Sequence, residues 1–371
     1  MAYMVRGERR RRARHRQEPR PASDPAISQR RSQLAPRPRE MALLLALATA
    51  EALHLPTPTS RGGGVQLLAG KARGKAKAKS KPGGGGFGAA PRKAKPAPLD
   101  RDAQSLLDRA NGDLDAAQGM MFQDGIAALQ AADPALYAKM AAQQGGGALS
   151  ADVHEKLVEL TWDTVAAYMP ATAAAAGGPS STVAKKLELV AACCCAEAGG
   201  AVLDVGCGDG STLPFLRGAG ADDARYCGLD LSGRMIAAAR AAHPAATFEQ
   251  AGFFGAALAA PPRRYDCVLF NGSLQFFGDQ QAALARAAAL LEPEGAARVV
   301  IAHVNGGAFV RDEAAGNPAT VLSTMPSLDE LAAIAPPGLE VRGPMALGAA
   351  RGAASDAAAL EQFYVAALVR P

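Results

Sequence analysis

Three glycines at every second position, Gly206, Gly208 and Gly210, lie in the stretch Leu203-Asp-Val-Gly-Cys-Gly-Asp-Gly-Ser-Thr212, which constrains the fold more than any other part of the chain. The residues before them, Ala201, Val202, Leu203 and Val205, form a short apolar run suited to a strand covered on both faces. Glycine at this spacing permits a tight turn with positive φ and lets a ligand touch the backbone. Ser211 or Thr212 is placed to cap a following helix, Leu213-Pro-Phe-Leu-Arg217, with Pro214 in its first turn, where a missing N–H costs little. Strand, glycine loop and helix N-terminus together make a ligand-binding edge.

The rest of the C-terminal half alternates. Arg225–Asp230 reads as a strand, and Ser232 as the cap of a helix through Met235, Ile236 and Ala239. Ala246–Gln250 and Tyr265–Asn271 are further strands, and Asp279 caps a helix through Leu284 and Leu290. Pro293-Glu-Gly295 turns into the strand Arg298–Val304, and Ser327-Leu-Asp-Glu330 is a capping box. Leu339–Ala346 and Phe363–Val369 read as the last two strands. This alternation predicts an α/β fold with a doubly wound sheet.

Residues 101–180 have helical patterning instead. Asp133-Pro134 restarts a helix, Gly145–Gly147 is a hinge, and Val153, Leu157, Leu160, Val165 and Tyr168 share one face with Trp162 nearby. Pro170 is expected to end that helix, Ala171–Pro179 to be a linker, and Thr182 to cap the next helix. The predicted organisation is therefore a basic, disordered arm (1–99), a helical cap region (100–180) and a ligand-binding α/β domain (181–371).

Charge separates the arm from the body. Residues 1–99 hold 22 Lys/Arg against 5 Asp/Glu, a net +17, whereas residues 100–371 hold 18 against 30, a net −12. An acidic body argues against a nucleic-acid-binding catalytic face. Met41-Ala-Leu-Leu-Leu-Ala-Leu-Ala-Thr-Ala50 resembles a signal-peptide core, with Met41 as an alternative start, and residues 52–99 contain no acid at all. Together they resemble a two-part plastid transit peptide; the alternative is an untargeted, cytoplasmic chain with a basic arm. No apolar run reaches the length of a membrane helix. The cysteines form no CxxC pair and read as reduced core residues, with no metal site.

The glycine loop does not fit a dinucleotide. GxGxxG needs its third glycine one place later, and Asp204, two residues before the first glycine, suits a cationic ligand rather than a pyrophosphate. Val202-Leu-Asp-Val-Gly-Cys-Gly-Asp-Gly210 is similar to the first motif of the class I S-adenosylmethionine-dependent methyltransferases. Gly228-Leu-Asp230, Tyr265–Phe277 and Leu290-Leu-Glu-Pro-Glu-Gly295 resemble later motifs of the same family, in order and at the expected spacing. The resemblance covers about residues 185–304. It implies a seven-stranded, mostly parallel sheet with an antiparallel last strand, and S-adenosylmethionine as cofactor. It assigns cofactor binding to Asp204, Gly206, Cys207, Gly208 and Gly210, to Asp230 for the ribose diol, to Leu231 and Met235 against adenine, and to Asn271 for the methionine part. The family often carries an acid after the third strand for the adenine amino group. Here Gly252 and Phe253 stand near that place, with Gln250 close by.

The acceptor is expected to be a small molecule. The D/N-P-P-Y/F motif of exocyclic-amine methylation is absent, since Gly272-Ser273-Leu274 follows Asn271, and there is no Pro-Cys for cytosine chemistry. His303, late on the fifth strand, is the candidate general base, with Asn305, Phe309 and Arg311 as candidates for an acceptor pocket. Trp162, Tyr168, Phe276 and Phe277 are either core residues or substrate contacts. Two alternatives remain at this point: an RNA methyltransferase anchored by the basic arm, and a cofactor-binding module without turnover.

Overall fold

A computed structural model describes residues 99–143, 148–176, 180–195, 199–255, 264–349 and 353–371. Apart from Leu99, the basic arm lies outside these residues, as do the signal-like run and the expected Gly145–Gly147 hinge.

Seven strands form one sheet: β1 (Val202–Val205), β2 (Tyr226–Asp230), β3 (Thr247–Gln250), β4 (Cys267–Asn271), β5 (Arg298–His303), β6 (Glu340–Arg342) and β7 (Tyr364–Val369). Their order across the sheet is β3-β2-β1-β4-β5-β7-β6. β1 pairs in parallel with β2 and β4, and β7 runs antiparallel between β5 and β6. The order reverses at β1, whose neighbours continue to opposite sides. Such a switch point opens a crevice at the carboxyl ends of the strands. The glycine loop sits there, as the sequence motif requires.

Strand periodicity divides the core into two layers. Leu203, Val205, Val268, Phe270, Val299 and Ile301 face one side, while Val202, Cys267, Leu269, Val300 and Ala302 face the other. The second layer is covered by α5 (Ser181–Cys194), α6 (Leu213–Ala219) and α7 (Gly233–Ala242); the first by α8 (Gln280–Ala289), α9 (Gly306–Gly316), α10 (Leu328–Ile334) and α11 (Asp356–Gln362). Four earlier helices, α1 (Arg101–Arg109), α2 (Leu114–Ala132), α3 (Pro134–Gln143) and α4 (Ala151–Ala176), have small cores of their own. One gathers Phe122, Leu129, Met140, Val153 and Leu157; the other gathers Leu106, Ala117 and Tyr168.

Most expected caps form. Asp133 accepts from Leu136 N at 2.9 Å, Ser232 from Met235 N at 3.1 Å and Asp279 from Ala282 N at 2.8 Å, and Ser327 with Glu330 makes a full capping box. Three local expectations are corrected. α5 starts two residues early, because Ser180, with extended backbone, accepts from Val183 N, so Thr182 lies inside the helix. α4 runs through Pro170 to Ala176. Proline removes one backbone bond, and the alanines after it restore helix propensity, so the chain has no break there. Thr212 precedes α6 but is already αR and makes no cap bond; its hydroxyl instead accepts from Asn271 Nδ2 at 3.2 Å.

Candidate active site

At the carboxyl edge of β1, β2, β3 and β4 lies a cavity of about 800 Å³. That volume falls in the upper part of the range of about 300–1,000 Å³ usual for small-molecule sites. Its floor is the glycine loop and the strand ends. Its roof is α4, which places His154, Glu155, Val158, Trp162, Val165 and Met169 along one stripe. The spacing is helical, so a single face of α4 covers the site.

The loop holds its shape through the backbone. Gly206 and Cys207 both donate to the Leu229 carbonyl, at 2.8 and 2.9 Å. Gly206 has φ +73°, and a Cβ on it would come within 2.6 Å of Ser273 Cβ, so both conformation and space demand glycine. A Cβ on Gly208 would meet nothing within 4 Å, so the loop there faces open space. Gly210 points the other way, against His243 and Phe248, and does not line the cavity.

Asp230, at the end of β2, is aimed by this loop. One carboxylate oxygen accepts from Gly208 N at 3.0 Å and the other from Ser232 N at 2.8 Å. Each oxygen keeps a second lone pair, and the side chain lines the cavity. Burial raises its pKa above the usual carboxylate value, while the two N–H donors oppose that rise. A carboxylate with both oxygens fixed and still accepting fits a vicinal diol.

Asp204 is placed differently. It is 1 % exposed, lies behind the loop and is not part of the cavity wall. Its Oδ2 accepts from the Tyr226 hydroxyl at 3.1 Å, its Oδ1 has no partner, and burial pushes its pKa up to about 7. Direct contact with a bound ammonium is therefore not its role in this geometry.

Cys207, Leu231, Met235, Gly252, Phe253 and Asn271 all line the cavity. Phe253 and Phe277 meet edge to face at 5.9 Å, and Trp162 lies edge-on to Phe276 at 6.0 Å. Trp162, Phe276 and Phe277 are thus wall residues as well as packing partners, whereas Tyr168 is buried between helices.

His303 is not brought to the cavity. Its ring is buried, stacks on Phe309 at 5.4 Å, accepts from Asn305 N at 3.3 Å and is drawn down to about pKa 4, chiefly by burial. The expected acceptor pocket in the following loop is corrected too. Asn305 and Phe309 stay away from the cavity, and the two terminal guanidinium nitrogens of Arg311 pair with the carboxylate of Glu361 on α11.

Sequence reasoning missed residues that come from elsewhere. Glu155 on α4 stands against Gly252, where a Cβ would lie 2.9 Å from its Oε1, so it occupies the neighbourhood where the family pattern has its acid. His154 beside it also lines the cavity, as do Gln118 of α2 and Leu322. The sequence singled out Trp162 and Val165 on α4 but none of these four residues.

Residues 203–297 match the Methyltransf_12 family, described as a methyltransferase domain. No curated protein matches the chain in sequence. Among solved structures, a TehB-like SAM-dependent methyltransferase from Corynebacterium glutamicum is 20 % identical over 56 % of this chain and 98 % of its own, with a TM-score of 0.35. An S-adenosylmethionine-dependent methyltransferase from Mesorhizobium loti is 19 % identical over 47 % and 92 %, at 0.34. The plantazolicin methyltransferase BamL, crystallised with a desmethyl plantazolicin analogue and SAH, is 15 % identical over 51 % and 84 %, at 0.38. Similarity at that level adds no weight to the sequence match and the strand order. Together with the glycine loop and the aimed Asp230, these identify a class I methyltransferase domain in this chain, with S-adenosylmethionine as its methyl donor.

Proposed function

We propose that the chain transfers a methyl group from S-adenosylmethionine to a small-molecule acceptor held under α4. The observation that carries this reading is the cavity itself, with Asp230 and the glycine loop on its floor and a largely apolar roof. Asp230 receives the two ribose hydroxyls, one per oxygen. Gly206, Cys207 and Gly208 let the methionine part approach the backbone, with Asn271 beside it. Leu231, Met235 and Phe253 flank adenine. Glu155, beside Gly252, accepts from the adenine amino group. Asp204 supports the loop from behind through Tyr226. When bound, the donor supplies a methyl group already activated by a positively charged sulfur; the protein's own task is to hold the acceptor in line and remove a proton.

Among the described residues, the charged side chains lining the cavity are Glu155, Asp209, Asp230 and Asp279, all acidic. A phosphate backbone would be repelled there, which favours a small acceptor over RNA. Calorimetric titration with S-adenosylhomocysteine tests the donor site. Asp230→Ala should weaken binding by roughly 1.5–3 kcal/mol, the range for losing a charged hydrogen-bond partner. Unchanged affinity would remove the ribose assignment. The division into arm (1–99), helical cap region (100–180) and catalytic domain (181–371) belongs to the same proposal, as does plastid delivery by the arm. A fluorescent protein fused behind residues 1–99 reads out that delivery directly.

A further inference from the structure

His154 is a buried histidine, 7 % exposed, in the wall of a cavity where the sequence suggested no base. Its Nε2 lies 2.8 Å from the carbonyl oxygen of Thr320. A carbonyl only accepts, so Nε2 carries the proton and the lone pair of the neutral ring is on Nδ1. The Thr320 carbonyl is itself fixed. Thr320 N donates to Asn317 O at 3.2 Å, and Leu322 N and Ser323 N both donate to Gln275 O at 3.1 Å. The ring is thereby held in one tautomer and orientation by a group that cannot take its proton.

We propose that His154 is the general base of methyl transfer, its Nδ1 receiving the proton of a neutral hydroxyl or amine on an apolar, ring-sized acceptor. This rests on the methyl-transfer reading above. The acceptor class follows from the surrounding wall, formed by Val158, Trp162, Phe276, Phe277 and Leu322. The acceptor's heteroatom forms a bond to the methyl carbon, and its proton passes to Nδ1. The carbon–sulfur bond breaks with its electron pair remaining on sulfur, leaving S-adenosylhomocysteine, and the imidazolium then gives the proton to water. Burial holds the ring below the ordinary histidine pKa and so neutral at pH 7. The Thr320 carbonyl, and after it Glu155 of α4, oppose that shift. Among the described residues, Asp209 and Asp230 from the β1 and β2 ends and Asp279 ahead of α8 are the other charged groups of the cavity.

The test uses the full chain, S-adenosylhomocysteine and biphenyl-4-ol as probes, and the variant His154→Gln, whose amide can still donate to Thr320. In ¹⁵N spectra of the S-adenosylhomocysteine complex, His154 should be the neutral Nε2–H tautomer at pH 7, and biphenyl-4-ol should shift its Nδ1 resonance. With tritiated methyl donor, the wild type should methylate biphenyl-4-ol and H154Q should lose roughly 100-fold or more, the usual scale of general-base catalysis. Affinity for S-adenosylhomocysteine should stay within about twofold. An imidazolium or the opposite tautomer at pH 7, an unmoved Nδ1, no turnover of biphenyl-4-ol by the wild type, or H154Q as active as wild type would each overturn the proposal. Failure of the wild type to bind S-adenosylhomocysteine would instead mark the failure of the underlying donor reading.

Discussion

Asp204 and Asp230 sit on adjacent strands, and burial raises the pKa of both, yet their hydrogen-bond partners differ. Asp230 takes two backbone N–H donors, whereas Asp204 takes a single hydroxyl and leaves one oxygen unpartnered in the core. Below pH 3.8 Asp204 is protonated whether folded or not. Between 3.8 and about 7 the unfolded chain ionises while the folded one holds its proton, so stability falls as pH rises, and the loss is complete above about 7. Asp204→Asn keeps an acceptor for Tyr226 and removes that slope. In urea unfolding from pH 5 to 8, the wild type should therefore lose roughly 2–3 kcal/mol more than the variant. Equal pH dependence would show that Asp204 ionises freely in the folded protein. Glu155 makes a second residue-scale prediction. S-inosylhomocysteine, which carries a carbonyl in place of the adenine amino group, should bind the wild type at least about tenfold more weakly than S-adenosylhomocysteine. In Glu155→Gln, whose amide can donate, the gap should narrow; competition calorimetry measures both.

At the scale of elements, a carboxylate of α4 ties that helix to the N-terminus of α7. Asp163 Oδ1 accepts from Ser232 Oγ at 2.6 Å and from Arg234 N at 3.1 Å, so a residue of α4 helps cap α7. A negative charge there also suits the positive end of the α7 dipole. Asp163→Ala should cost roughly 1–3 kcal/mol and speed amide exchange along α4, with β4 and β5 unaffected. Exchange unchanged in α4 would mean the roof is held by its apolar face and the His154–Thr320 bond without need of Asp163. The sheet was legible because each strand carries its own signal, an apolar run bounded by a turn or a cap. The glycine loop and Asp230 were legible because a motif fixes both at short range. His154 and Glu155 were not, because their role depends on α4 crossing from outside the sheet to the end of β3 and to the Thr320 carbonyl. No local pattern encodes that crossing. His303 illustrates the converse: a strand-end histidine points to the right edge in sequence, yet its ring turns under Gly272 and Phe309. Pro170 misled for a similar reason, since one lost backbone bond is outweighed by the helix around it.

For the whole molecule, the described residues bury a core and line the cavity. A chain beginning at Leu99 should therefore bind S-adenosylhomocysteine as the full chain does, within about twofold. Its affinity should also vary little between 50 and 200 mM salt, unlike a site that recognises phosphates. A large loss on truncation would put the arm in the site. The division of labour inside the body has one more outcome. The sheet presents the donor, while α4 brings the proton acceptor, Val158 and Trp162 of the apolar wall and the Asp163 fastening on one rod. If this rod lifts to let product leave, it carries the base out of reach of the floor in the same movement. Opening and deactivation become a single event, so an activated methyl group is never left facing bulk water with a competent base beside it.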